Sequence, residues 1–241
     1  MKAMILAAGL GTRLKPITDI MPKALLPIGG KPLLEWQLEK LRGAGIGDVV
    51  INVHHFAEQI IDYVAMHNGW DMNIQFSDER GQLLETGGGL RKAGLLFGKN
   101  EPVLVCNVDV LSNIRLEELI EAHDEKSLST IVVSQRETQR YFLFDESKRL
   151  MGWTNLKTGE VKPAGMDAQG LEKLAFSGMH VVSPEIFEVM KPYPEKFSIT
   201  DFYIEQCREH VIKAFVPSDY RMMDIGKIDS LEEAEHFAKT L

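Results

Sequence analysis

Met4-Ile5-Leu6-Ala7-Ala8-Gly9-Leu10-Gly11-Thr12-Arg13 is the stretch whose reading decides the fold. Its first half is a short apolar run, Met4 to Ala8, and reads as a buried strand. Its second half cannot extend that strand. Gly9 and Gly11 let the backbone turn and bring amide N–H groups close to a ligand, and Arg13 adds a cation directly after them. A lone Gly-x-Gly is more often a turn than a phosphate cradle. The stretch also lacks the third glycine of the dinucleotide fingerprint and the Gly-Lys-Ser/Thr of a P-loop, so dehydrogenase and P-loop chemistry both lose ground.

Outward from this loop, short apolar runs alternate with amphipathic segments. Val49 to Val53, Ile74 to Phe76 and Val103 to Cys106 read as further strands. Helices are predicted over Pro32 to Ala44, Ala57 to His67 and Leu116 to Lys126, with apolar spacings such as Leu34, Leu38 and Leu41. This alternation predicts an α/β, Rossmann-like fold, a mostly parallel central sheet with helices on both faces. Ligands on such sheets bind beyond the carboxyl ends of the strands. After residue 128 the pattern changes: Thr130 to Ser134, Tyr141 to Phe144 and Leu174 to Val182 read as strands around a polar stretch near 155 to 172, which predicts a small mixed-sheet extension. Ser183 before Pro184, and Asp229-Ser230 before Glu232 and Glu233, mark two helix starts. No internal repeat is present, and a single domain over 1–241 is expected, with halves 1–128 and 129–241.

With 44% hydrophobic residues in 241, the chain can bury a sizeable core. The formal net charge of -8 argues against a nucleic-acid-binding surface. Its distribution is uneven. Residues 1–34 hold Lys2, Arg13, Lys15, Lys23 and Lys31 against Asp19 alone, a net of +4, so the remainder carries -12 by difference. Such an island suits a small polyanion. Cys106 and Cys207 are far apart and follow no ligand spacing, so both are read as reduced and inert. The seven histidines share no metal-ligand spacing and are read as structural or surface residues. The apolar start is too short for a signal peptide, and no stretch is long enough to span a bilayer, so a cytoplasmic protein without membrane partners is expected.

Four further segments add to the loop: Pro22-Lys23-Ala24-Leu25-Leu26-Pro27 with Lys31-Pro32-Leu33; Leu84-Glu85-Thr86-Gly87-Gly88-Gly89-Leu90; Val103 to Asp109; and Met222-Met223-Asp224-Ile225-Gly226. Asp109 and Asp224 each follow an apolar run. Alone, either aspartate would be read as a turn or cap residue, and the three glycines as a flexible turn before a helix. Together with the first loop, these segments resemble the sugar-1-phosphate nucleotidyltransferase family, which opens Leu-Ala-Ala-Gly-x-Gly-Thr-Arg-Leu and continues Pro-Lys-x-Leu-x-Pro. The resemblance is densest before residue 110. Met222 stands where the family commonly has tryptophan.

The resemblance implies attack by a sugar-1-phosphate on the α-phosphorus of a nucleoside triphosphate, with Mg²⁺ as cofactor. It implies Arg13 and Lys23 as catalytic residues and Asp109 and Asp224 as metal ligands. Nucleotide contacts are implied for Leu6, Ala7, Ala8, Gly9, Gly11, Thr12, Glu85, Thr86, Gly87 and Gly88, with glycines 87 to 89 facing the base. Asn107, Lys162, Ser177 and Gly178 are implied around the sugar, with Lys173 as a competitor for Lys162 and Thr200 read as a cap. The first half is thus the nucleotide-binding half, and the second the sugar-binding half with the second metal ligand. Glu85, where many relatives carry glycine, is similar to the N-acetylmuramate-1-phosphate uridylyltransferases, so UTP and that sugar phosphate are the expected pair. A mannose-1-phosphate guanylyltransferase, a phosphocholine cytidylyltransferase and a non-catalytic nucleotide-sensing homologue stay as alternatives, and the oligomeric state stays open.

Overall fold

The computed structural model describes residues 1–98 and 100–241. In chain order the first half contains β1 (Lys2–Leu6), a two-stranded ribbon of β2 (Pro27–Ile28) and β3 (Lys31–Pro32), α1 (Leu33–Gly43), β4 (Asp48–Val53), α2 (Ala57–Met66), β5 (Asn73–Asp78), α3 (Glu85–Ala93) and β6 (Val103–Asn107). β5, β4, β1 and β6 lie side by side in that order and are all parallel. The chain runs outward from β1 to β4 and β5, then returns through α3 to lay β6 on the other side of β1. Such a reversal opens a crevice at the carboxyl ends of the strands.

Strand alternation divides the core into two layers. Ala3 and Ile5 of β1 and Val49 and Ile51 of β4 face a layer filled by Leu33, Leu34, Leu38 and Leu41 of α1 and Ile60 and Val64 of α2. Met4 and Val50 face the other, filled by Leu90 and Ala93 of α3 and by Phe202 and Tyr203 of a later helix. Helices therefore cover both faces, as the sequence pattern requires.

The second half contains β7 (Val110–Ser112), α4 (Leu116–Glu121), β8 (Ser129–Ser134), β9 (Arg140–Phe144), β10 (Leu150–Asn155), β11 (Glu160–Lys162), β12 (Glu172–Val182), α5 (Ile186–Val189), α6 (Ile199–Gln206), β13 (Ile212–Phe215), β14 (Met222–Asp224) and α7 (Leu231–Ala238). The mixed extension is continuous with the parallel strands. β12, eleven residues long, pairs antiparallel with β6, β8 and β9, so one sheet of ten strands runs through both halves. β14 belongs to a separate ribbon with β7.

Three local expectations are corrected. α4 ends at Glu121, not near Lys126, because the following residues are held by tertiary bonds: His123 reaches Thr130 and Ser183 through its two ring nitrogens, each at 3.0 Å. Ser183 is not a helix cap, since its hydroxyl donates to the Ser127 carbonyl at 2.5 Å. Ser230 likewise spends its hydroxyl on the Lys227 carbonyl, at 2.8 Å, rather than on α7. Among the described residues no helix is long and apolar enough to cross a membrane.

Candidate active site

The first loop leaves β1 at the crevice and is fixed there by a polar residue inside an apolar strand. Asn52 on β4, 2% exposed, accepts from the Ala7 and Ala8 amides at 2.7 and 3.3 Å. Its own amide donates to Glu79 Oε1 at 2.7 Å, and Glu79 Oε2 accepts from the Leu84 amide at 3.0 Å. Glu79 is 1% exposed. This buried pair therefore ties the loop after β1 to the segment before α3. Gly11 turns the loop with φ of +63°, and a side chain there would meet Thr18 and the stem of Lys23. The Ala7 and Ala8 amides are already spent on Asn52. Among the described residues the amides of Gly9, Leu10 and Gly11 have no protein acceptor.

Leu6, Ala7, Ala8, Gly9, Gly11 and Asn52 line a cleft of about 450 Å³ with Thr12, Arg13, Lys23, Leu83, Glu85, Thr86, Asn107, Asp109 and Ser198. Lys23, only 8% exposed, donates to Asp109 Oδ2. Asp109 lies between β6 and β7, and its carbonyl accepts from the Ile225 amide at 2.9 Å. Asp224 pairs in register with Val110. The two carboxylates are thus neighbours, but through an antiparallel ribbon and not along the parallel sheet edge. Asp224 is exposed and lines the side cavity next to this cleft, yet withdrawal from bulk water and then the like charge of Asp109 raise its pKa above the ordinary carboxylate range. Lys23, Arg13 and Arg136 oppose that rise.

A side cavity of about 160 Å³ shares Thr86 and Asn107 with this cleft and is closed by Arg136, Ser177, Gly178, Thr200 and Asp224, among others. Gly178 has φ of +73°, and a side chain there would collide with Asn107. The Ser177 hydroxyl is buried without a partner among the described residues.

Several expected positions are corrected. Gly87 and Gly88 do not line this cleft. Their amides donate to the Phe197 carbonyl at 2.9 and 3.2 Å, and any Cβ would strike the Phe197 ring or the Glu195 carbonyl. Gly89 backs onto Glu79 and Asn52. The glycines let α3 pack closely, and only Glu85 and Thr86 of that segment line the cleft. Glu85 has φ of +62°, a left-handed conformation that favours glycine. Lys162 lines neither cavity; its ammonium lies 3.7 Å from Glu160, 3.8 Å from Asp201 and 5.4 Å above the Trp153 ring. Lys173 is exposed on β12. Ser198, and not Thr200, caps α6, accepting from the Thr200 amide at 3.1 Å.

Four contributors were missed: Asn52, Glu79, Leu83 and Arg136. Asn52 had a signal, an amide inside Val49-Val50-Ile51-Asn52-Val53. Glu79, Leu83 and Arg136 had none.

A glycine loop above parallel strands, two cations on it and two facing carboxylates define an α/β protein built to handle a phosphorylated nucleotide. The sequence pattern of the nucleotidyl transferase family matches residues 2–240, and the chain belongs to that family. It is similar to the N-acetylmuramate alpha-1-phosphate uridylyltransferase of Caulobacter vibrioides, 33% identical over 76% of each chain. The protein of that name from Neisseria meningitidis is 46% identical over 47% of this chain and 49% of its own. In fold, the putative glucose-1-phosphate thymidylyltransferase of Bacillus anthracis superposes with a TM-score of 0.84 at 19% identity, over 100% of this chain and 96% of that one. The chain is an enzyme, and its reaction is nucleotidyl transfer.

Proposed function

We propose that the chain joins UTP to a sugar-1-phosphate, N-acetylmuramate-1-phosphate in the first instance, giving a UDP-sugar and pyrophosphate in the cytoplasm. The single observation that supports this reading is the convergence of unspent loop amides, Arg13, Lys23 and Asp109 on one cleft, with Asp224 beside Asp109 at the adjoining side cavity. The similarity to uridylyltransferases acting on that sugar phosphate supports the choice of acceptor.

A phosphate monoester is largely dianionic at neutral pH, with a second pKa of about 6, so the acceptor needs no general base. The barrier lies in bringing two polyanions into line and stabilising the departing pyrophosphate. The Gly9 and Gly11 amides and Arg13 would donate to the outer phosphates. Lys23 would turn from Asp109 toward the α-phosphate as charge accumulates there. Glu85 and Thr86 would border the base, with Asn107, Ser177 and Gly178 around the sugar.

Asp109 and Asp224 would hold Mg²⁺. The two carboxylates are neighbours across the β7–β14 ribbon, and hard oxygen donors suit this ion. Among the described residues no third acidic, histidine or cysteine ligand joins them, which fits an ion that completes its shell with water and phosphate oxygens. When bound, the ion supplies positive charge to the phosphate oxygens.

Pyrophosphate release should be measured with UTP, GTP, CTP and dTTP against N-acetylmuramate-1-phosphate and mannose-1-phosphate. UTP with the muramate should be fastest. Preference for GTP with mannose-1-phosphate would make the enzyme a guanylyltransferase.

A further inference from the structure

Beyond the end of β8 the chain carries Arg136 to the rim of the side cavity. Its Nη2 donates to the Phe176 carbonyl at 3.1 Å, which anchors one end of the guanidinium and leaves its other N–H groups unspent. Among the described residues no carboxylate lies within ion-pair distance of it. Among the described residues it is the only cationic side chain on the side cavity, since Arg13 and Lys23 line the main cleft. Arg136 and Met222 also line a separate hollow of about 660 Å³ on the far side, and so form the partition between the two spaces.

The acceptor's phosphate must meet the nucleotide beside Asp109, Asp224 and Lys23. Its ring must then extend into the side cavity, toward the partition. A neutral ring offers a guanidinium no countercharge there. A carboxylate does, and accepts two parallel N–H donors in the geometry that arginine presents. The adjoining hollow provides room for a substituent that a plain hexose lacks.

We propose that Arg136 selects acceptors that carry a carboxylate on the ring in addition to the reacting phosphate, by donating its unspent N–H groups to that carboxylate. This rests on the reading of the chain as a sugar-1-phosphate nucleotidyltransferase. It makes Arg136 the specificity-determining residue between acid-bearing and neutral acceptors.

The test uses two acceptors that differ by the lactyl arm alone, N-acetylmuramate-1-phosphate and N-acetylglucosamine-1-phosphate. Wild type should prefer the acid by roughly tenfold or more in kcat/KM. Arg136→Ala should lower kcat/KM for the acid by roughly ten- to a hundredfold, chiefly through KM, while the neutral acceptor loses far less. Arg136→Lys should recover part of the loss, because it keeps the charge without the planar fork. Thermal unfolding of each variant checks that the fold persists. Equal losses on both acceptors would overturn the proposal and assign Arg136 to the phosphate or the fold, and an unchanged acid acceptor would overturn it outright. A wild-type preference for the neutral sugar would overturn it while leaving nucleotidyl transfer intact. Absence of turnover with every sugar phosphate and triphosphate would instead overturn the underlying reading, and this proposal with it.

Discussion

Around Gly9 and Gly11 the cleft is walled by backbone from one continuous loop, and that loop is anchored from beneath by the buried Asn52–Glu79 pair. Around Arg136 and Ser177 the wall is made of side chains brought from β12, β14, α6 and the end of β8. The first region presents main-chain amides on a loop anchored from the core, the second side chains gathered from several elements. The difference teaches where each kind of change should act. Alterations near the loop should strike the chemistry common to every acceptor, and alterations in the side cavity should redistribute acceptors.

The largest effect is expected where the two regions meet. Asp109→Asn and Asp224→Asn should each lower kcat by roughly a thousandfold, and the double variant should be scarcely worse than either, because the pair acts as a unit. Steady-state assays with folding checked by circular dichroism decide it. Additive losses would separate the two carboxylates.

Lys23→Ala should lower kcat by roughly a hundredfold or more and raise KM for the triphosphate much less, as expected of charge felt in the transition state. Removing the ammonium also leaves Asp109 and Asp224 without their nearest countercharge. The melting temperature of the variant should therefore rise more steeply with added Mg²⁺ than that of wild type. A KM effect alone would move Lys23 to simple binding.

Asn52→Ala strips the Ala7 and Ala8 amides and the Glu79 carboxylate of a buried partner. Stability should fall by about 2–4 kcal/mol in denaturant titrations. Activity should fall by roughly tenfold, with the same factor for acid and neutral acceptors. Unequal factors would break the division between the two regions.

Lys162→Ala should change the acceptor KM by less than about threefold, since an exposed ammonium near two exposed carboxylates contributes about 0–1 kcal/mol. A rise of a hundredfold would return Lys162 to the acceptor phosphate. Smallest of all, Glu85→Gly should raise stability by about 0.5–1 kcal/mol, because glycine adopts the left-handed conformation without a Cβ penalty. A loss of stability would mean that the Glu85 side chain stabilises the start of α3.

Much of the first region was legible in the sequence. A parallel strand followed by a glycine loop is a local pattern, and the alternation of apolar runs and amphipathic helices fixed the sheet around it. Arg13, Lys23, Asp109 and Asp224 stood out through the resemblance to the sugar-1-phosphate nucleotidyltransferase family, since either aspartate alone reads as a turn or cap residue. Where prediction failed, a partner distant in sequence had taken the group. Gly87 and Gly88 looked like a platform for a base until Phe197 and Glu195 packed on them. Thr200 looked like a cap until Ser198 took that role, and α4 was read too long because nothing local announces the bonds from His123 to Thr130 and Ser183.

By itself, then, the sequence determined the layered α/β class and the glycine loop after the first strand, because each rests on periodicity or on a few consecutive residues, and the family resemblance added the charges around that loop. Only the tertiary structure decided that Asp224 meets Asp109 through the β7–β14 ribbon, that Glu79 holds two loops together from the core, and that Arg136 lines the side cavity. Each of those depends on which surfaces pack across long stretches of chain. Packing is settled by the burial of apolar area and the pairing of buried polar groups, and neither leaves a periodic mark on the residues that end up as neighbours.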